Sequence, residues 1–201
     1  MESERIILRC WQDADADDLF KYASDPDVGP RAGWPPHQTL EESKLIIANV
    51  FSNDTTWAIV LKETNEVIGA MGYGPSCECK LPARDNEPTV GYWVAKPYWN
   101  NGICTEALSL MIEYIRTNTT IKSLISGHFI DNPASGAVME YIRKETNYTS
   151  LICSHFIDNP ASGRVMEKCG FVATGEFSFD NGLYAGQDRP IRVLRLELET
   201  K

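Results

Sequence analysis

Residues 89–116 read TVGYWVAKPYWNNGICTEALSLMIEYIR, and the architecture follows from this stretch. Residues 89–95 are rich in aromatic and β-branched side chains, which predicts a strand. Lys96-Pro97 ends it, and a loop runs to Gly102. From about residue 103 to 116 the apolar residues recur at helical spacing. The unit is therefore strand–loop–helix. The N–H groups of a first helical turn lack internal partners and lie at the positive end of the helix dipole. Asn100, Asn101 and Gly102 tolerate positive φ, so their amides can turn inward as an anion-binding nest, and Thr105 adds a hydroxyl. The other reading of these residues is a plain loop whose Asn-Gly turn caps the helix. The loop carries neither the Walker lysine–serine pattern nor the dinucleotide glycine fingerprint.

Upstream, residues 5–9 alternate around Ile6 and Leu8 as a first strand. Asp13 is placed to cap a helix reaching about Ala23, with Leu19, Phe20 and Ala23 on one face. Gly33-Trp34-Pro35-Pro36 breaks the chain. Thr39 opens a second helix, with Glu41 and Glu42 in its first turn and Leu45, Ile46, Val50 and Phe51 as the expected apolar stripe. Residues 57–61 and 67–73 flank the turn Glu63-Thr64-Asn65-Glu66 as a hairpin. Residues 74–86 read as a polar loop.

Downstream, the chain nearly repeats itself. Residues 113–139 and 140–166 are related by a shift of 27, and HFIDNPASG is identical at 128–136 and 155–163. Each copy has an apolar run (123–130; 150–157) followed by Asp-Asn-Pro. Asn132 or Asn159 can cap a helix there, with Pro133 or Pro160 at a position where the missing N–H costs nothing. Repeat architectures need about three such units to build a continuous core. Two copies therefore predict one strand–helix unit filling a structural slot and one extra unit looped out, added to a sheet edge or exchanged with a second chain; exchange would give a homodimer. The final strands are expected at about 171–179 and 191–198, joined through Asp180-Asn181-Gly182. Strands at both ends with helices between give an α+β fold on a mixed sheet.

A length of 201 residues predicts one domain, 1–201. Nineteen Lys and Arg against 28 Asp and Glu leave a net charge of −9. That disfavours a nucleic-acid partner and attracts cationic ligands such as amines. The absence of a long apolar run predicts no membrane span, and the charged opening MESERIILRCW lacks a signal-peptide core. Of six cysteines, only Cys77 and Cys79 are close together, with no second pair. The expectation is free thiols, a cytoplasmic location and no metal.

The order of Glu4-Arg5-Ile6-Ile7-Leu8-Arg9, Gly33-Trp34-Pro35-Pro36, Gly91-Tyr92-Trp93, residues 98–107 and residues 159–171 resembles the GNAT N-acetyltransferases. Within them it is most similar to the RimJ/RimL-like ribosomal-protein N-terminal acetyltransferase branch. The resemblance spans nearly the whole chain, and the repeat is its one departure. It implies a mixed sheet splayed between the fourth and fifth strands, with acetyl-CoA as co-substrate in the gap.

That resemblance also implies the site. The diphosphate would rest on the amides of Asn100, Asn101, Gly102, Ile103, Cys104 and Thr105. Cys104 stands where the family has Gly or Ala, and Asn100 replaces a frequent glycine. The pantetheine arm would pair along Trp93, Val94 and Ala95, with the Val94 N–H as oxyanion donor. Asn159 would contact the pantetheine and Ser162 would protonate the departing thiolate; Asn132 and Ser135 take these roles if copy one fills the slot. The join from copy two into residues 167–171 favours Ser162. Many relatives carry a carboxylate two residues before Gly-Tyr-Trp. Thr89 stands there, so Glu87, on the same face of an extended chain, is the candidate base through water; its other reading is an exposed loop carboxylate. His128, His155 and His37 read as structural.

Acetyl transfer to a primary amine, a protein N-terminus or a small molecule, is the expected activity. The competing reading is a non-catalytic acetyl-CoA-binding or protein-interaction module that uses the repeated segment to assemble.

Overall fold

The computed structural model describes residues 1–32, 34–74, 88–121, 125–126, 150–156, 172–180 and 189–197. The chain divides into two units, Met1–Tyr73 with Gly91–Thr119, and Gly74–Val90 with Thr120–Lys201.

In the first unit, β1 (Ile6–Cys10) pairs antiparallel with β2 (Thr56–Leu61), from Ile6 opposite Leu61 to Cys10 opposite Trp57. Strand β3 (Val67–Gly74) returns antiparallel to β2. The expected turn closes this hairpin: Asn65 takes φ 59° and donates its N–H to the Leu61 carbonyl at 2.8 Å. Strand β4 (Thr89–Val94) follows β3 in the sheet. Residues 67–72 are all buried, so β3 is covered on both faces. Gly69 is required there: a Cβ would stand 2.4 Å from the Trp93 carbonyl oxygen, so glycine lets β3 and β4 approach.

Helix α1 (Ala16–Ala23) buries Ala16, Leu19, Tyr22 and Ala23. Asp13 does not cap it. A 3-10 turn, Asp13–Asp15, precedes the helix, and the Asp15 carboxylate accepts the Gln12 N–H at 2.9 Å and both ends of the Arg9 guanidinium at 2.7 and 2.8 Å. A short helix not expected from the sequence, α2 (Val28–Ala32), follows. Helix α3 (Leu40–Ile46) begins as expected, with the Thr39 hydroxyl accepting the Glu42 N–H at 3.1 Å. Its apolar stripe needs correction. Leu45 and Val50 are 55% and 52% exposed, while Ser43 and Ile47 are buried. Leu45 lies within the regular helix on the face opposite Ser43 and Ile47. Beyond it a π-helical turn at Ile47–Phe51 breaks the 3.6-residue period, turning Val50 outward and bringing Phe51 against Trp11, 4.7 Å between ring centroids.

Helix α4 (Ile103–Asn118) runs slightly past its expected end. Ile103, Ala107, Leu108, Met111, Ile112 and Ile115 form one buried stripe. Each large aliphatic side chain removed from water this way contributes about 1.5–3 kcal/mol, which anchors the N-terminus of the helix.

In the second unit, Thr89 and Val90 pair in parallel with β5 (Ile125–Ser126), from copy one of the repeat. Strand β6 (Ser150–Phe156), from copy two, pairs antiparallel with β8 (Arg189–Glu197), Ser150 opposite Glu197 through Phe156 opposite Ile191. Strand β7 (Val172–Asp180) pairs with the other edge of β8, and the register shifts between Ala173 and Phe177, where Gly175 has φ 83°. The order is β6-β8-β7, and β5 lies against β6. Parallel and antiparallel pairs together make the α+β, mixed-sheet class expected from the sequence. Among the described residues, no helix is long and apolar enough to cross a membrane.

Candidate active site

Strand β4 leads into a 3-10 turn, Lys96–Tyr98, and then α4. Ala95 is fully buried and its N–H donates to the Ile68 carbonyl of β3 at 2.8 Å. Backbone groups alternate sides along a strand. The Trp93 N–H therefore also faces β3, and the Val94 N–H faces the opposite edge. On that edge the Trp99 indole donates from Nε1 to the Val94 carbonyl at 2.6 Å. The carbonyl is thus engaged, and the Val94 N–H is the main-chain donor on this edge that has no acceptor among the described residues.

The loop that follows adopts the geometry read from its composition. Asn100 has φ 62° and Gly102 φ 76°, both left-handed. Gly102 caps α4, and the first helical hydrogen bond runs from the Glu106 N–H to the Gly102 carbonyl at 3.0 Å. Among the described residues, no acceptor engages the N–H groups of Asn101 through Thr105. Asn100, Asn101 and Gly102 are exposed, and among the described residues beyond its own chain neighbours the nearest atom to a Cβ placed on Gly102 is Arg5 Nη2 at 3.6 Å. These amides, at the positive end of a 16-residue helix, form a concave cluster of donors suited to an anion.

Other side chains refine the picture. Ile103 is buried in the core, so only its backbone is available to a ligand. Cys104 keeps partial solvent access, yet its sulfur is closely surrounded by protein, and that burial pushes the thiol up to about 12. It is therefore a neutral packing group and no nucleophile. Trp93 is buried edge-on to Trp34, 6.1 Å between centroids, and its Nε1 finds no hydrogen-bond partner among the described residues. Trp34 in turn lies 5.3 Å from His37. His37 is buried, with Nδ1 2.8 Å from the Ser43 hydroxyl. Burial lowers its pKa, against the opposing pull of Glu42, and so favours neutral imidazole.

Sequence reasoning missed one group. Arg5, just before β1, donates from Nη1 to the Asn101 carbonyl at 2.9 Å and from Nε to Glu106 Oε2 at 2.7 Å, with Nη2 on the same carboxylate. The Ser3 hydroxyl and the Arg5 N–H donate to Glu106 Oε1 at 2.5 and 3.2 Å. Burial alone would raise the Glu106 carboxyl pKa; the Ser3 and Arg5 hydrogen bonds outweigh it and hold the group below the usual range. Ser3, Arg5 and Glu106 are about a hundred positions apart, so no local pattern links them. Glu87, Asn132, Ser135, Asn159 and Ser162 lie outside the described residues.

The sequence pattern of the Acetyltransferase (GNAT) domain matches residues 5–143. The chain belongs to the GNAT acetyltransferase family. This acetyltransferase is 27% identical over 129 residues to the uncharacterized N-acetyltransferase p20 of Bacillus licheniformis, across 61% of its own length and 68% of that protein. A Vibrio cholerae structure described as a ribosomal-protein-serine acetyltransferase matches it with a TM-score of 0.53 at 17% identity, over 98% of this chain and 95% of that one. The microcin C7 self-immunity acetyltransferase MccE, solved with acetyl-CoA and AMP, matches with a TM-score of 0.55 at 14% identity, over 98% and 94% of the two chains. At these identities the two structures speak for the fold. The family pattern ends at residue 143 and so runs through the first repeat copy, stopping just inside the second.

Proposed function

We propose that this acetyltransferase, acting as one catalytic domain over residues 1–201, moves the acetyl group of acetyl-CoA onto a primary amine by direct attack of the neutral amine. The observation that carries the reading is the left-handed Asn100–Gly102 turn, which leaves the amides that open α4 without an acceptor among the described residues, next to a Val94 N–H that strand alternation directs to the same edge as the Trp99 bond. Bound acetyl-CoA supplies an acetyl group already activated as a thioester. The Asn100–Thr105 amides hold the diphosphate, and the Val94 N–H donates to the thioester carbonyl as charge develops there. Glu87 takes the amine proton through a water, and Ser162 protonates the departing thiolate. Asn159 orients the pantetheine. Ser135 and Asn132 serve instead if copy one fills the slot.

The acceptor is a protein N-terminus or a small-molecule amine. The RimJ/RimL-like motif order and the fold likeness to the Vibrio cholerae protein support the first. The net charge of −9 suits either through long-range attraction. A thiol-release assay with acetyl-CoA, run against ribosomal-protein N-terminal peptides and a panel of polyamines and aminoglycosides, tests this. Release with one acceptor class is expected. No release with any amine, together with no coenzyme A uptake by calorimetry, overturns it.

A further inference from the structure

We propose that Arg5 is the positioning residue of the diphosphate loop, an inference that rests on the function proposed above. One guanidinium spans two partners that matter to that loop. Nη1 fixes the carbonyl of Asn101, the residue between the two left-handed positions, Asn100 and Gly102. With that carbonyl held toward Arg5, the peptide that follows presents the Gly102 N–H the opposite way. Nε and Nη2 hold the carboxylate of Glu106 in the first turn of α4.

The second contact decides the electrostatics. A carboxylate in the first turn competes for the positive helix end that an anionic ligand needs. Paired with Arg5 and hydrogen-bonded by Ser3, Glu106 is neutralised locally, and the turn stays attractive to a diphosphate. Lysine cannot reproduce the arrangement, because a single ammonium lacks the planar fork that reaches a carboxylate and a carbonyl together.

The test compares the parent with Arg5→Ala, Arg5→Lys and the double variant Arg5→Ala/Glu106→Ala. Coenzyme A affinity is read by calorimetry, and KM is read separately for acetyl-CoA and for the amine. Arg5→Ala is expected to weaken coenzyme A binding by about tenfold, the scale of one charge-assisted contact. The KM for acetyl-CoA should rise while that for the amine holds. Arg5→Lys should retain only part of the affinity. The double variant should bind better than Arg5→Ala alone, because the unpaired carboxylate is gone. A purely structural Arg5 would lower Tm yet leave these constants unchanged in folded protein; that result, or a double variant no better than Arg5→Ala, overturns the inference alone. Failure of the parent itself to bind coenzyme A overturns the proposed function and this inference with it.

Discussion

Ile125 and Ile152 occupy the same position in two copies of nearly one sequence, yet they have different neighbours. Ile125 stands opposite Thr89 in a parallel pair; Ile152 stands opposite Arg195 in an antiparallel one. Strand propensity cannot distinguish them, because the local residues are almost the same. Connectivity can. A parallel neighbour for β4 needs a crossover, and α4 is that crossover, so the strand that leaves α4 first is delivered beside β4. Copy two comes next and leads into β7 and β8, of which β8 returns antiparallel beside it and carries β7 on its other edge. A duplicated strand is thus sorted by what precedes and follows it.

The largest effect should come from proline at equivalent positions. Cys153 lies mid-strand in β6, opposite Leu194. Cys153→Pro removes a ladder donor there and should cost about 3 kcal/mol; Ser126→Pro in β5 should cost roughly 1 kcal/mol. Chemical denaturation of both variants measures the gap, and equal losses would break the contrast between the copies.

Next in size is catalysis. Ser162→Ala should lower kcat by about a hundredfold, the low end for a lost proton donor, and Ser135→Ala should leave it alone. The reverse pattern in steady-state kinetics would move the site to copy one.

A control lies outside both copies. His37 titrates below the usual 6.5 because it is buried. On acidification the unfolded chain takes up this proton before the folded one. The contribution of His37 is therefore complete above the unfolded value near 6.5 and is lost as pH falls below it. Thermal melts from pH 7.5 to 5.5 should show a shallower decline for His37→Gln than for the parent. An identical slope would mean that His37 is solvated.

The smallest change is expected from removing residues 140–166. Copy one then joins Glu167 directly, and the shortened chain should bind coenzyme A as tightly as the parent by calorimetry. A fall in affinity would show that each copy has its own task.

Much of the fold was legible because its signals are local. The Thr39 cap, the Asn65 turn and the left-handed pair Asn100 and Gly102 each follow from a side chain acting on its own backbone. The exposure of Val50 was not legible, since a π-turn changes the period on which the sequence reading depends, and Leu45 is exposed because the buried face runs through Ser43 and Ile47 instead. The site divides in the same way. The left-handed turn at Asn100 and Gly102 could be read from the loop itself. The Arg5–Glu106 pair joins the chain before β1 to the start of α4, a meeting that only the folded sheet brings about. The half-buried Cys104 was likewise a question of packing.

The bond from the Trp99 indole to the Val94 carbonyl has a consequence for solubility. A strand from another molecule docks by trading donors for acceptors residue after residue, and an exposed sheet margin invites that zippering. Here the indole has already taken the acceptor, so an incoming peptide finds only half of the code it needs. A thioester carbonyl, which only accepts, loses nothing. One tryptophan thus denies half of this pairing to neighbouring chains, and under the proposed function it leaves the Val94 N–H for the acyl donor.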